Sequence, residues 1–302
     1  MATILVTNAS GLQGKAVAEE LVKANFKVRA LTRDSQKVDS SQYQVVLGSF
    51  DDVESLTQAL QGVDAVYFKL PLIFDRELLL QYTRNFIQAA KVAQPKLVVF
   101  NSSIFVPQKP TGYIAFDVKL EAENLLKQSG LPVVYLHPRL YLDNLAAPWS
   151  VPAIIDQGVV PVAVAEEQQL SWISTYDLAR FTVALLQRPE LAGSTFEVGA
   201  SPVSGRDIAR ELSHALNKNV SYVFVTPDEF ESALRAPFGE DNAKAIANIY
   251  RHVLENPQDY IVNTTVNPVL GVQPVSLGQW VSNVPWQELN KQYASSAVVT
   301  AE

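Results

Sequence analysis

Thr3-Ile-Leu-Val-Thr-Asn8-Ala9-Ser10-Gly11-Leu12-Gln13-Gly14, followed directly by Lys15-Ala-Val-Ala-Glu-Glu-Leu21-Val, is the stretch that decides the fold. An apolar run, a turn of small residues and a helix-period run predict a buried strand that enters a helix through a tight loop. Small residues in such a loop let backbone N–H groups approach a pyrophosphate, and the helix dipole favours the anion. The stretch therefore predicts a nucleotide-phosphate site.

The glycine spacing within this stretch is a variant of the dinucleotide-binding fingerprint. Asn8-x-x-Gly11-x-x-Gly14 has the second and third glycines, with asparagine at the first position. Asparagine tolerates positive φ better than most other non-glycine residues, so Asn8 can still form the turn. A purely structural turn is the alternative interpretation, but the strand before and the helix after favour a phosphate site.

The end of the second predicted strand, Arg29-Ala-Leu-Thr-Arg33, indicates which cofactor is bound. Dinucleotide folds contact the adenosine ribose about 20 residues beyond the glycines, with an acidic residue for a free 2′-OH and a basic one for a 2′-phosphate. Arg33 lies at that spacing from Gly14, which favours NADP over NAD. A solvated arginine at a strand end is the alternative, and Asp34 beside it competes for the ribose.

Composition excludes several other classes of protein. The chain has 302 residues, 48% hydrophobic and 18% charged, with a net charge of −7 and no cysteine. These are globular values, and the scattered basic residues do not suggest a nucleic-acid surface. Disulfides, thiolate nucleophiles and cysteine-ligated metals are excluded. With no long apolar run, we expect no membrane association and a cytoplasmic location.

Strand and helix patterns alternate regularly up to about residue 137. Continuous apolar strands of this kind are typical of parallel strands covered by helices on both faces, which predicts an α/β doubly wound parallel (Rossmann) sheet. We expect an NADP-binding domain over residues 1–145 and a smaller mixed α/β substrate-binding portion over 146–302, with residues 170–200 packing back on the sheet. The predicted strands are Ala2–Thr7, Phe26–Leu31, Gln44–Leu47, Ala65–Phe68, Leu97–Ser102 and Pro132–Leu136.

The chain resembles the atypical short-chain dehydrogenases, specifically the NmrA-like group. That group also includes isoflavone-reductase-like enzymes, quinone and triphenylmethane reductases, and redox-sensing regulators. The segments that carry the resemblance are Val6–Gly14, Val28–Arg33, Gly48–Leu56, Gly62–Val66, Leu97–Ser103, Lys119 with Glu123 and Ser129-Gly130, His137–Asn144 and Trp172–Ala179.

The resemblance implies a set of cofactor and substrate residues. Residues around the pyrophosphate are Asn8, Ser10, Gly11, Leu12, Gln13 and Gly14, with Arg33 at the 2′-phosphate. Lys69, Leu70 and Pro71 end the fourth strand, beside the nicotinamide ribose. Lys119 matches a helix lysine that binds this ribose or assists proton transfer. The predicted substrate residues are Ser103, His137, Tyr141 and Asn144.

One departure from the short-chain dehydrogenase pattern affects catalysis. The proton-donating tyrosine usually stands four residues before the lysine, but Ala115 occupies that position. Tyr113 and Ser102 are the other candidate catalytic residues besides Lys119. The alternative for Lys119 is a solvated charge paired with Glu123 at i+4. His137 is alternatively a hydrogen-bonded core residue, and the three histidines show no metal-ligand spacing, so no metal is expected.

The leading prediction is an NADPH-dependent reductase of a small apolar or aromatic acceptor, such as a quinone or enone. Because the usual acid is absent, the alternative is a non-catalytic NADP(H)-binding sensor that acts through a protein partner. A non-redox enzyme such as an isomerase is a third possibility. A small-molecule substrate and a possible homodimer complete the expectations.

Overall fold

A computed structural model describes residues 1–39, 41–262 and 266–299, except for the side chains of 266–267 and 295–299. The chain forms two compact units. The first consists of Met1–Arg139, Thr175–Val198 and Asn263–Gln273, and the second of Leu140–Ser174, Gly199–Val262 and Pro274–Glu302, in each case within the described residues. The expected division at 145/146 therefore falls inside the second unit.

The first unit is built on a seven-stranded sheet whose paired strands all run parallel. Numbered along the whole chain, its strands are β1 Thr3–Val6, β2 Lys27–Thr32, β3 Gln44–Leu47, β4 Ala65–Lys69, β5 Leu97–Asn101, β6 Val133–Pro138 and β10 Thr195–Val198. The order β10-β6-β5-β4-β1-β2-β3 reverses direction at β1, so the ligand crevice is expected at the carboxyl ends of β1 and β4. This confirms the predicted doubly wound α/β class.

Helices of the first unit cover the sheet. They are α1 Leu12–Lys23, α2 Val53–Leu60, α3 Arg76–Ala93, α4 Ile114–Gln128, α5 Thr175–Leu186 and α9 Val266–Leu270. Successive strand side chains point to opposite faces, so Val66 and Phe68 of β4 enter one hydrophobic core. There the ring of Phe68 stacks on Phe86 of α3 at a centroid distance of 3.8 Å. This core fixes the carboxyl edge of the sheet where the site lies.

The segment Thr175–Val198 belongs to the first unit although it is distant in sequence. Helix α5 packs against α1, and β10 pairs with β6 at the edge of the sheet. Leu178, Phe181 and Leu185 of α5 are fully or nearly fully buried. Their helical spacing explains why this segment packs on the sheet rather than in solvent.

The second unit is smaller and mixed. Its strands are β7 Leu140–Tyr141, β8 Val159–Val162, β9 Trp172–Ile173 and β11 Ser221–Phe224, and its helices are α6 Gly205–Leu216, α7 Pro227–Phe238, α8 Glu240–Glu255, α10 Leu277–Asn283 and α11 Trp286–Val299. Helices α6 and α7 begin at capping boxes formed by Ser204 with Asp207 and Thr226 with Glu229. No helix within the described ranges has the length and apolarity needed to cross a membrane.

Candidate functional site

The turn after β1 has the backbone conformation that its sequence predicts. Asn8 adopts a φ of 52°, in the left-handed region. Its carbonyl accepts a hydrogen bond from the N–H of Gly11 at 3.0 Å, and its side-chain amide donates to the carbonyl of Lys69 at 2.9 Å. Asn8 thus replaces the first glycine of the fingerprint and ties the turn to the end of β4.

Gly14 is required by the close approach of α1 to this turn. A Cβ atom at Gly14 would lie 2.1 Å from the carbonyl oxygen of Asn8, whereas one at Gly11 would meet that oxygen at 3.4 Å. Gly11 is the N-cap residue of α1 and provides no side-chain cap. The first N–H groups of α1 are therefore available to an anion, as a pyrophosphate-binding turn requires.

An open cleft continues from this turn along the carboxyl edge of β1 to β3. Asn8, Ser10, Arg33 and Pro71 are among its lining residues, together with the rings of Phe50 and Tyr82. These two rings stack at a centroid distance of 5.6 Å. The cleft therefore has both the phosphate turn and an aromatic pair among its walls, features expected of a nucleotide site.

Arg33 and its acidic neighbour Asp34 have separate roles. Asp34 caps the short turn Ser35–Lys37, because its Oδ1 accepts the Gln36 N–H at 3.0 Å, and Oδ2 lies 4.0 Å from Nζ of Lys37. Arg33 is exposed in the cleft wall, and no described residue forms an ion pair with it. Asp34 is thus engaged in a cap, and Arg33 has no ion-pair partner among the described residues.

A buried hydrogen-bond network lies behind the phosphate turn. The Asn101 amide donates to Gln13 Oε1 at 3.0 Å and to the Tyr67 hydroxyl at 2.7 Å. Burial raises the pKa of Tyr67, although its hydrogen bond with Asn101 opposes the shift, so the hydroxyl stays neutral. Asn101 and Tyr67 were not predicted as site residues; the polar residue that ends the apolar run Leu97–Phe100 was the available signal.

Lys119 of α4 is a buried lysine with only 7% of its surface exposed. Burial, followed by the charge of Lys69, lowers the pKa of Lys119 to about 7. Lys69, half-buried at the end of β4, donates from Nζ to the carbonyl of Leu70 at 3.1 Å, and burial lowers its pKa to about 8. Neither lysine has an acidic partner among the described residues. The alternative of a solvated Lys119 paired with Glu123 is wrong.

The two serines after β5 differ in their availability. Ser102 is fully buried, and its single O–H faces two carbonyl acceptors, Ile104 at 2.5 Å and Leu136 at 3.1 Å from Oγ. The hydroxyl of Ser102 is thus engaged within the core, and its catalytic role stays a prediction. Ser103 has a φ of 67°, and its buried Oγ has no hydrogen-bond partner among the described residues. Its N–H donates to the Asn101 side chain at 2.7 Å, so the strained conformation is held in place.

His137 lies in the core, as the alternative interpretation of this residue expects, and its role in substrate binding stays a prediction. It is 4% exposed on β6, and its Nε2 lies 2.6 Å from Oε2 of Glu123 on α4. The second oxygen of Glu123 lies 2.7 Å from Nζ of Lys127. The pair is buried between strand and helix, so neither side chain is available to a ligand.

The position of the missing tyrosine is held by the buried Ala115. Ala115 is 1% exposed in the first turn of α4. Tyr113 is the half-buried N-cap residue of that helix, with a β-type backbone and no side-chain cap. Asp117 fixes the preceding loop by accepting hydrogen bonds from the N–H groups of Thr111 at 2.6 Å and Gly112 at 2.9 Å.

The remaining predicted residues fall in both units. Leu12, at the first position of α1, is 66% exposed, and Leu70 is buried behind β4. Tyr141 and Asn144 belong to the second unit, where a hydrogen bond from Asn144 opposes the burial that raises the pKa of Tyr250 to about 12. No metal-binding group of acidic residues and histidines occurs in the described part of the chain.

The fold and the site define a Rossmann-type dinucleotide-binding protein. The model of the NmrA-like family matches residues 1–278, and the chain belongs to this family. Structural comparison agrees: the Citrobacter sp. triphenylmethane reductase complexed with NADP(H) superposes with a TM-score of 0.79 at 20% identity, covering 94% of this chain and all of the other. At that identity the likeness concerns the fold.

Sequence relatives extend over most of the chain. An NAD(P)H azoreductase from Xenophilus azovorans is 28% identical over 276 residues, covering 89% of this chain and 93% of its own. Quinone oxidoreductase 2 from Escherichia coli is 28% identical over 241 residues, covering 77% and 81% respectively.

Proposed function

We propose that the chain is a reductase that uses NADPH to reduce a small apolar or aromatic acceptor of the quinone or enone type. As a family member it binds NADP(H) and belongs with NAD(P)H-dependent oxidoreductases. The relatives named as azoreductase and quinone oxidoreductase support reduction of conjugated acceptors. The observation that carries the proposal is Lys119, a buried ammonium without a counter-charge at the ligand-binding edge of the sheet.

The cofactor residues follow from the geometry of the phosphate turn and the cleft. The first N–H groups of α1 bind the pyrophosphate, and Gly14 allows the close approach that this requires. Arg33 binds the 2′-phosphate with charge-assisted hydrogen bonds. The stacked rings of Phe50 and Tyr82 contribute an apolar wall for the adenosine. When bound, NADPH supplies the hydride that the acceptor receives.

Lys119 supplies the proton in place of the absent tyrosine. A pKa of about 7 lets its ammonium give up a proton near neutral pH, which suits a general acid. For a quinone, one hydride and one proton give the hydroquinone, because hydride transfer leaves a phenolate oxygen that Lys119 protonates. The resulting amine regains its proton from solvent. Ser103, with its unpartnered hydroxyl, donates a hydrogen bond to the acceptor oxygen.

A second function is favoured by Ala115 alone. Without the usual tyrosine, the chain would act as a sensor that binds NADPH and NADP⁺ without turnover and transmits the difference to a protein partner. A sensor must bind the two forms with different affinity, because equal affinities shift no conformational equilibrium. Separate titrations with NADPH and NADP⁺ in the absence of any acceptor measure this difference.

Anaerobic NADPH oxidation, followed by absorbance with quinones, enones and azo dyes, tests the reductase proposal. We expect turnover with at least one acceptor class and a loss of kcat of about 100-fold or more in Lys119→Met. Lys91→Met is the matched control, since Lys91 is exposed on α3. Absence of oxidation with every acceptor, together with tight and unequal binding of NADPH and NADP⁺, would support the sensor instead.

A further inference from the structure

Two lysines converge at the carboxyl edge of the sheet. Lys69 is the last residue of β4, directly across from Asn101 in β5, and Lys119 lies on the helix that follows β5. The charge of Lys69 contributes, after burial, to the lowered pKa of Lys119. The only hydrogen bond of the Lys69 ammonium within the described ranges goes to the neighbouring carbonyl of Leu70. The edge also carries the unpartnered hydroxyl of Ser103.

Nearby acidic side chains on α4 do not neutralise this pair. Glu123, one turn beyond Lys119, is bound to His137 and Lys127. Asp117, two residues before Lys119, is bound to the loop at Thr111 and Gly112. On β4 the nearest titratable neighbour of Lys69 is Tyr67, which stays neutral in its hydrogen bond with Asn101.

Burying an ammonium beside a second one is unfavourable unless something compensates the charge. A ligand that brings a negative charge would remove this penalty and gain two charge-assisted hydrogen bonds. A purely apolar acceptor would leave the pair uncompensated.

We propose that Lys69 selects acceptors that carry an acidic group, a carboxylate, sulfonate or phosphate, and holds that group beside Lys119. The inference rests on the proposed function and names the substrate class of the same site. The bound anion also offsets the charge of Lys69, so that Lys119 retains its proton until the acceptor receives it. Lys69 is therefore a specificity residue, and Lys119 remains the proton donor.

Calorimetry on the NADP⁺-loaded protein tests the binding step without any turnover. The probes are 2-naphthoate and its neutral counterpart 2-naphthamide, with 2-naphthalenesulfonate and 2-naphthyl phosphate as arms that distinguish the acidic groups. We expect naphthoate to bind at least about tenfold more tightly than naphthamide, and Lys69→Gln to abolish this preference. Lys69→Arg keeps the charge and should keep the preference, and the exposed Lys91→Gln should behave as wild type.

Proton uptake provides a readout that a purely structural lysine would not change. At pH 8 both lysines are partly deprotonated, so binding of naphthoate should take up protons, measured from the heats in two buffers of different ionisation enthalpy. Naphthamide should take up none. Equal affinity of naphthoate and naphthamide, or uptake that persists in Lys69→Gln, would overturn the proposal.

An acceptor pair then separates this inference from the proposed function. Methyl red carries a carboxylate, and 4-dimethylaminoazobenzene is its neutral analogue. A higher kcat/KM for methyl red that falls to parity in Lys69→Gln supports the inference. Turnover of both dyes with equal kcat/KM overturns the inference but still supports the proposed reductase function. Binding of naphthoate that depends on Lys69, without turnover of either dye, supports the inference and contradicts the proposed reductase function.

The Lys69→Gln variant also separates substrate binding from cofactor binding. If this variant loses affinity for NADP⁺ but not for naphthoate, Lys69 is a cofactor residue and the inference is overturned.

Discussion

Glu123 Oε2 lies 2.6 Å from Nε2 of His137, inside the core between α4 and β6. Burial raises the pKa of Glu123, but the hydrogen bonds and charges of His137 and Lys127 outweigh burial and hold the pKa below its ordinary value. The Glu123 carboxylate therefore does not pair with Lys119, which lies four residues earlier on the same helix. The uncompensated charge of Lys119 follows from this pairing.

His137→Phe should destabilise the protein without altering cofactor or acceptor affinity. Removing one partner of a buried pair typically costs about 3–5 kcal/mol, and here Lys127 remains to compensate part of it. We therefore expect a loss of about 2–4 kcal/mol in the free energy of unfolding, measured by urea titration. A raised KM for the acceptor with unchanged stability would restore His137 as a substrate residue.

Lys119→Met should stabilise the fold while it removes activity. The folded pKa of about 7 lies below the ordinary 10.5, so the unfolded chain binds more protons between these values. The wild type therefore gains stability as pH rises from about 7 to 10.5, and its penalty of a few kcal/mol is complete below pH 7. Unfolding titrations at pH 6.5 and 9.5 should show a larger advantage of Lys119→Met at the lower pH. An advantage independent of pH would contradict the buried-charge account.

Arg33→Ala should weaken binding of NADPH by about 10- to 100-fold, the usual contribution of hydrogen bonds to a charged group. Affinity for NADH should change little, because NADH lacks the 2′-phosphate. Lys37→Ala, which removes the exposed partner of Asp34, is the control. Fluorescence titration of both cofactors against each variant measures the discrimination. Parallel losses for NADPH and NADH would mean that Arg33 does not contact the 2′-phosphate.

Gly14→Ala and Gly11→Ala should have unequal effects. A methyl group at Gly14 would overlap the carbonyl of Asn8 at 2.1 Å, so α1 must move and the phosphate turn is lost. We expect a destabilisation of about 3 kcal/mol or more and no measurable NADPH binding. At Gly11 the methyl group meets that oxygen at 3.4 Å with a φ of −87°, so the fold should lose about 1 kcal/mol or less. Similar losses in both variants would contradict this geometry.

Ser103→Gly and Ser103→Ala separate backbone strain from hydroxyl function. Both remove the hydroxyl, but only glycine accepts the positive φ without cost, so Ser103→Gly should gain about 1 kcal/mol of stability over Ser103→Ala. If the hydroxyl binds the acceptor oxygen, kcat/KM falls in both variants by about tenfold. Thermal unfolding and steady-state rates give the two quantities. Unchanged kcat/KM in both would remove Ser103 from the proposed site.

The sequence predicted the sheet well because parallel strands buried on both faces appear as continuous apolar runs. The predicted strand ends lie within two residues of the observed ones, and Asn8 has the positive φ expected of it. Helix α8 was not predicted, although Ala243, Ala247 and Tyr250 recur at helical spacing and are buried. Its isolated alanines give a weaker apolar signal than the leucines of α1.

The candidate site was predicted less completely because tertiary partners decide which polar groups are available. Sequence spacing puts Glu123 at i+4 from Lys119, but the neighbouring strand supplies His137 and captures the carboxylate. Likewise, the adjacent Ser102 and Ser103 are indistinguishable in sequence. In the structure they differ, because the carbonyls of Ile104 and Leu136 engage the hydroxyl of Ser102. No local pattern encodes these long-range choices.

Transfer of deuterium from C4-deuterated NADPH to an acceptor tests the central claim most directly. The enone 2-cyclohexenone is mixed anaerobically with the wild type and with Lys119→Met, and the product is analysed by mass spectrometry and NMR. The reductase account predicts one deuterium on carbon per NADPH oxidised, and a rate about 100-fold or more lower in the variant. Bound NADPH that remains unoxidised with this enone and with every quinone and azo dye, in fully folded protein, would contradict it.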